Sequence, residues 1–479
     1  MRRKIAWLIM LVAFTLVVAA CGDDDGGETT TTAESGGGET TTTAESGGGE
    51  TTTTAAGGGE TTTTAASSSG GEMLTDFGVD AENKVIKLGL LADLTGAFAP
   101  LVIDITDAQS VYWDNVNAEG GIDGWTVELV IEDTNYNVEQ HIEKYEKIRE
   151  EVVAIAQSTG SPTNVANLDA FKEDDMLFIP LSWYSGWGIP EFDGGLAFEQ
   201  NTNYCIEAMN LMGFINENGG TSVALITFPG DYGQDAAAGV KLAADFYGIN
   251  IAYDGEAVVI PGQDQTPVIT EIVNSGADWV FATTNPSTFA EILGGAVQGG
   301  YAGMWTGSLP TYDFRLLDTP VAPILDQVFY QSAYQVTWGS DVPGMAPVEE
   351  AMKAAYPDRR PSDAFVIGWN ESIAIHEALK VAIANGDLTR AGVAAAANSL
   401  TSVDFNGTSP AQSYAGTPNE YVQRLSAVYK PSLEAYTAAG GVEQTLSGEN
   451  TTTGSILAKD FFMSEATEAF DYTSPCYEL

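Results

Sequence analysis

The chain has 479 residues, 66 of them acidic and 19 basic, for a formal net charge of −47. A surface of that sign repels phosphate backbones rather than releasing their counterions, which excludes nucleic acid as a partner. The length holds two or three domains of roughly 100–200 residues with a sizeable core; the excess carboxylates read as a solvated face, a solubility device suited to salty surroundings.

The first elements concern export. Arg2, Arg3 and Lys4 precede an apolar run from Ile5 to Ala20 that ends in small residues, the pattern of a signal peptide over residues 1–20. The stretch Val18-Ala19-Ala20-Cys21 resembles a bacterial lipobox, in which the cysteine sulfur receives a diacylglyceryl group; an uncleaved helical anchor is the other reading of the same run. Two acyl chains supply the two signals that stable membrane attachment takes. Residues 21–83 follow with the repeats "ETTTTAESGGG" and "ETTTTAAGGG", which lack the apolar residues to offset the entropy of ordering. They are expected to form a disordered tether, a coil of about 60 residues spanning on the order of 40 Å.

From Lys84 strand-like and helix-like segments alternate. "VIKLGLLAD" (85–93) is a buried-type strand; "DAQSVYWDNVNAEGG" is a helix with Ala108, Val111, Tyr112 and Val116 on one face, stopped by Gly120 and Gly121. "WTVELVIED", "VEQHIEKYEKIREE" and "VVAIA" continue as strand, helix, strand. Parallel strands joined by helical crossovers imply a doubly wound α/β sheet. The alternation restarts with "SVALITF" (222–228), helices around 235–247 and 266–275, "INIAYDGEAVV" between them and "DWVFATT" after them. Two Rossmann-like halves are the expectation, against a single larger sheet.

The segments "IKLGLLADLTGAFAP", "NAEGGIDG" (117–124), "DYG" (231–233) and "GADWVFATTNPSTFAEILGGAVQGGY" resemble, in that order over residues 84 to 440, the type I periplasmic binding proteins of the leucine/isoleucine/valine-binding kind. "NAEGGIDG" is the most specific of them, and its content is structural: a helix end, a glycine stop and a tight turn. The resemblance implies an α/β fold of two Rossmann-like lobes with a ligand cleft between them and a three-strand hinge. Lobe I is placed at 84–200 and 335–425, lobe II at 201–334 and 426–479. It further implies a monomer that closes over a small solute and presents it to an ABC transporter permease, with no cofactor, no metal and no catalysis.

Candidate cleft residues follow. In "QSTGSPTN" (157–164) the chain leaves a strand and opens a helix, so backbone N–H groups at Gly160 and the hydroxyls of Ser161 and Thr163 stand where an anion would sit; either hydroxyl is equally readable as an N-cap. In "PLSWYSGWG", Ser182, Trp183 and Tyr184 match a family loop that contacts the ligand, and their rings favour an apolar or ring-bearing solute, unless they are ordinary lobe packing. The resemblance adds Phe98, Tyr232, and Thr284 with Asn285. Family members that take amino acids often place an acid after the next strand to meet the α-ammonium; here "WTGSLPTYD" (305–313) has none before Asp313, which argues against an amino acid. Trp369 is assigned to core packing.

An enzyme is the chief rival reading, and the sequence offers it little. His141 and His376, the only histidines, lie in predicted helices among glutamates and are expected at the surface or as caps. No GxSxG, HExxH or GxxxxGK[ST] pattern occurs, and Asp23–Asp25 has no EF-hand continuation. A ligand sensor on the same fold, serving a signalling partner, is the second rival. Cys205 and Cys476, the cysteines beyond Cys21, can pair in an exported protein or remain free thiols. The reading reached is an extracytoplasmic, lipid-anchored solute-binding protein for a branched-chain amino acid or a related small carboxylate or amide.

Overall fold

In the computed structural model, residues 73–479 are described; the signal peptide, Cys21 and nearly all of the tether lie outside them. The first sheet has five strands: β1 (Val85–Ala92), β2 (Thr126–Asp133), β3 (Ala154–Thr159) and β4 (Phe178–Leu181) are parallel, with β1 between β2 and β3 and β4 beyond β3, and the short strand Val79–Asp80, from the stretch expected to be tether, pairs antiparallel with the start of β1. The parallel strands are apolar runs because helices cover both faces. The connecting helices are α1 (Ala99–Ala118), α2 (Val138–Ile148) and α3 (Ser161–Glu173). α1 begins earlier than its apolar stripe predicts, because Pro100 at its first turn tolerates the missing N–H. It ends where expected: Gly121 has φ +73°, and a Cβ there would sit 2.0 Å from the Trp125 carbonyl oxygen, so only glycine makes the turn into β2.

α2 corrects the histidine expectation. Its N-cap Asn137 accepts the Gln140 N–H at 2.9 Å, and its inward stripe is His141, Tyr145 and Ile148. His141 is therefore fully buried rather than at the surface. Its Nε2 lies 3.1 Å from Ser158 Oγ, and Asn167 holds the other ring nitrogen. Burial pushes its pKa down to about 3, so it is a neutral core residue.

The second sheet begins after α4 (Tyr204–Glu217) and comprises β5 (Ser222–Thr227), β6 (Asn250–Gly255), β7 (Trp279–Thr283), β8 (Met304–Gly307), β9 (Phe329–Ala333), β10 (Ser426–Pro431) and β11 (Ser455–Phe462). The spatial order is β11-β10-β9-β8-β7-β5-β6, parallel from β9 to β6 and antiparallel at the other edge. Its crossovers are α5 (Asp231–Tyr247), α6 (Thr266–Ser275) and α7 (Pro286–Gln298). Between β9 and β10 the chain returns to the first sheet as α8 (Met345–Ala355), α9 (Ala364–Asn385) and α10 (Arg390–Ala397). α9 packs Ala374, Ile375, Ala378 and Leu379 into the same core as Leu88 and Leu90 of β1, each large side chain contributing roughly 1.5–3 kcal/mol on leaving water.

The result is two α/β lobes joined by three chain crossings. The crossings are laced together: Thr202 pairs with Gln423, and the Val336 N–H donates to the Thr408 carbonyl at 2.8 Å. Two polar ties span the lobes. Arg315, after β8, donates to Asp104 Oδ2 of α1 at 2.6 Å while Arg359 holds the other oxygen. Asp235 of α5 accepts both the N–H and the hydroxyl of Ser185, in the loop after β4. Cys205 in α4 is disulfide-bonded to Cys476, with Cα atoms 6.3 Å apart. Trp369 is partly buried, edge-on to Tyr112 at 4.9 Å.

Candidate functional site

Between the lobes lies a narrow cavity of about 50 Å³. Its polar corner is the start of α3. Gly160 is the N-cap, at φ +102°; a Cβ there would meet the Tyr136 ring at 2.7 Å and Thr163 Oγ1 at 2.8 Å. Neither hydroxyl caps the helix. Thr163 turns back, donating to the carbonyls of Thr159 and Gly160. Ser161 Oγ is buried without a partner. Pro162 has no N–H, so the first-turn donors are those of Ser161 and Thr163, at the positive end of the helix dipole. An anion fits there.

The walls are carbon. α1 contributes Phe98, Leu101, Val102 and Ile105; Leu181 and Trp183 come from the end of β4, Tyr204 from α4, Leu309 and Pro310 from the turn after β8, and Ile367 from α9. The polar tips of two of the rings are engaged by the protein. Trp183 Nε1 donates to the Gln200 carbonyl at 2.9 Å, and Tyr232 Oη donates to the Thr284 carbonyl at 3.2 Å while accepting from Ser308 Oγ at 3.0 Å. No Asp, Glu, Lys, Arg or His is among the lining residues. Tyr136, which closes the corner over Gly160 and packs on Phe98 at 4.8 Å between centroids, has φ +49°, next to Asn135 at φ +51°. Two successive non-glycine residues in the left-handed region are held by their surroundings, a strain that gathers at binding sites.

Of the residues singled out from sequence, Phe98, Gly160, Ser161, Trp183 and Tyr232 line the cavity; the others do not. Ser182 Oγ accepts from Trp187 Nε1 and Asn164 Nδ2. Tyr184 donates to the Tyr477 carbonyl inside lobe packing, so of the two rings only Trp183 lies on the cavity. Thr284 offers its backbone to Tyr232 and Thr311, and Asn285 caps α7 through the Thr288 N–H. Asp313 is spent on Arg315 at 2.9 Å. Leu101, Val102, Ile105, Tyr136, Leu181, Tyr204, Leu309, Pro310 and Ile367 were not anticipated. The α1 residues could have been, since 98, 101, 102 and 105 mark one helical face.

Two carboxyls stand behind the walls. Glu207 accepts the Leu309 N–H at 2.8 Å, and burial pushes its pKa up to about 7. Asp231, first residue of α5, faces the Ser161 hydroxyl; its Oδ2 has no partner, and burial pushes its pKa up to about 6 against the pull of that hydroxyl.

A family model described as periplasmic binding protein matches residues 85–424, and solved structures of its type I members align with both lobes. The chain belongs to the type I periplasmic binding proteins. Members of this type bind small solutes outside the cytoplasm and serve ABC transporters. A fatty acid ABC transporter substrate-binding protein from Thermomonospora curvata is 26% identical, covering 84% of this chain and 97% of its own, with a TM-score of 0.74. A branched chain amino acid ABC transporter protein from Thermus thermophilus with bound valine is 17% identical, over 81% of this chain and 98% of its own, TM-score 0.66. A solute binding protein from R. palustris in complex with benzoate is 17% identical, over 80% and 98%, TM-score 0.62. A search of curated sequences finds no significant match. Among the described residues, no helix is long and apolar enough to cross a membrane.

Proposed function

We propose that this periplasmic binding protein captures an apolar carboxylic acid, aliphatic or aromatic, and delivers it to an ABC importer as a monomer anchored through a lipid on Cys21. One observation carries the ligand class: the cavity has a polar corner, the Ser161 end of α3, and otherwise mainly carbon walls without an Asp, Glu, Lys, Arg or His side chain. A carboxylate meets the helix N-terminus and its apolar body lies on the Phe98, Leu101, Ile105 and Trp183 faces. An α-ammonium would be stranded against those walls, which costs several kcal/mol. The fatty-acid-binding relative supports this reading over the branched-chain amino acid expected from sequence. Capture needs no bond making: closing the lobes removes the solute from water, and the closed shape is what a permease reads.

Asp231 favours a second reading. Its unpartnered Oδ2 beside Ser161 could receive the ammonium of an amino acid. The two readings separate on a matched pair differing only in the amino group. Calorimetry with 4-methylpentanoate and leucine should give the plain acid an affinity about 100-fold higher, on the order of 3 kcal/mol. Leucine binding as tightly as 4-methylpentanoate would sink the carboxylic-acid reading in favour of the second.

A further inference from the structure

Away from the cleft, a second cavity of about 250 Å³ opens beside the hinge, lined among others by Trp187, Asp193, Glu199, Gln412, Tyr414 and Tyr421. Glu199 stands on the first crossing of the chain between the lobes, and Gln412, Tyr414 and Tyr421 lead into the third. Gln412 ties the two segments, donating from Nε2 to the Glu199 carbonyl at 2.8 Å and accepting the Asn201 N–H at 3.1 Å.

The Glu199 carboxyl is the anomaly. The residue is 6% exposed, its Oε1 is buried without a donor, and among the described residues no basic side chain pairs with it. Asp193, 2% exposed on the same wall, is satisfied by the N–H groups of Gly195 at 2.6 Å and Ala197 at 3.3 Å, so it adds negative potential without meeting Glu199's need. Burial, reinforced by Asp235 and Asp193, pushes the Glu199 carboxyl well above the usual carboxylate range. A second orphan belongs to another lining residue, since Tyr414 Oη is also buried without a partner. Left alone, the carboxyl escapes the cost of a buried unpaired charge by keeping its proton; a cation brought beside it would hold it ionised instead.

The walls say which cation. Among the described residues no group of three or more His, Cys, Asp or Glu could hold a metal ion, and the volume far exceeds that of a bare ion. Aromatic rings at Tyr414, Tyr421 and Trp187 beside an acid are the furnishing for an organic cation, which gains from ring faces as well as from charge. We propose that the hinge cavity is a second binding site, for a small organic ammonium ion whose charge meets Glu199 and whose carbon lies against Tyr414 and Tyr421. Because its residues come from two of the three crossings, occupancy bears on the segments about which the lobes turn. It does not depend on what the cleft binds.

The test uses the full folded chain and three probes of similar size: choline, ethanolamine and the neutral choline isostere 3,3-dimethylbutan-1-ol, at constant ionic strength. A ligand that binds only the folded state raises its melting temperature. At least one ammonium should give a saturable rise with the neutral alcohol silent, and Glu199→Gln should weaken that binding about tenfold or more. Adding 4-methylpentanoate at saturating concentration should leave the ammonium in place. The proposal is overturned if neither ammonium binds, if the alcohol binds as well, if Glu199→Gln binds like the parent, or if 4-methylpentanoate displaces the ammonium. Should Glu199→Gln not fold, the comparison of charged and neutral probes on the parent decides alone.

Discussion

The two lobes each open a helix near the cleft from a glycine in the left-handed region, and the two starts differ in the charge of the first helical residue. In lobe I, β3 runs into Gly160 at φ +102° and then Ser161; in lobe II, β5 leads to Gly230 at φ +87° and then Asp231. Neither start has a side-chain cap. Both glycines bend the chain so that a bare helix N-terminus reaches the cleft, and both ends carry the partial positive charge of the dipole. Ser161 leaves that charge free for a guest. Asp231 supplies an anion of its own and so closes its end to others. One fold element, used twice, thus becomes a docking point on one side and a gatepost on the other, through the residue at the first helical position.

The sharpest way to break this asymmetry is to make the two ends alike. Ser161→Asp should weaken binding of an acid ligand by roughly 100-fold or more in Kd, with a lower melting temperature but parent-like circular dichroism; calorimetry with 4-methylpentanoate is the check. Undiminished affinity would mean that the ligand does not sit at α3. A smaller loss is expected from separating the two ends. Arg315→Ala removes the tie to Asp104 across the cleft, shifts the lobes toward the open state and should weaken binding about tenfold, with a larger radius of gyration by X-ray scattering in the ligand-free protein. The smallest effect comes from neutralising the gatepost. Asp231→Asn should improve acid-ligand affinity by about threefold to tenfold. The same group sets a pH slope in the parent: its pKa is raised to about 6, so below that it is neutral and above it repels the ligand. Affinity should fall as pH rises from 5.5 to 8, and Asp231→Asn should flatten the profile. If Asp231 instead receives an ammonium, the variant loses amino-acid binding.

Much of this architecture was legible from local pattern. The strand at 85–92 announces itself because burial on both faces leaves an apolar run, and the ends of α1 and of the helix at 266–275 because they are written as Gly120-Gly121 and Gly276. The cavity was legible only in part, for reasons of direction. Whether Thr163 faces a ligand or its own carbonyls is decided by a rotamer within one turn, and whether Ser182 is free depends on a tryptophan five residues on. Tyr136, Leu309 and Ile367 meet in the cavity from segments far apart in the chain, with no shared local signal. His141 is the instructive miss: its spacing of four and seven from Tyr145 and Ile148 marks the inward stripe, but its glutamate neighbours drew it toward the surface.

The bond between Cys205 and Cys476 joins residues 271 positions apart, and it fastens more than a tail. The Cys476 N–H donates to Ser185 Oγ at 2.8 Å, and Tyr472 reaches the carbonyl of the same serine, which Asp235 grips from the opposite lobe. The chain is therefore finished chemically only after it has left the reducing interior of the cell. Material made in an ordinary bacterial cytosol would carry an unfastened last segment, and its two halves would lose the brace on the strap that links them.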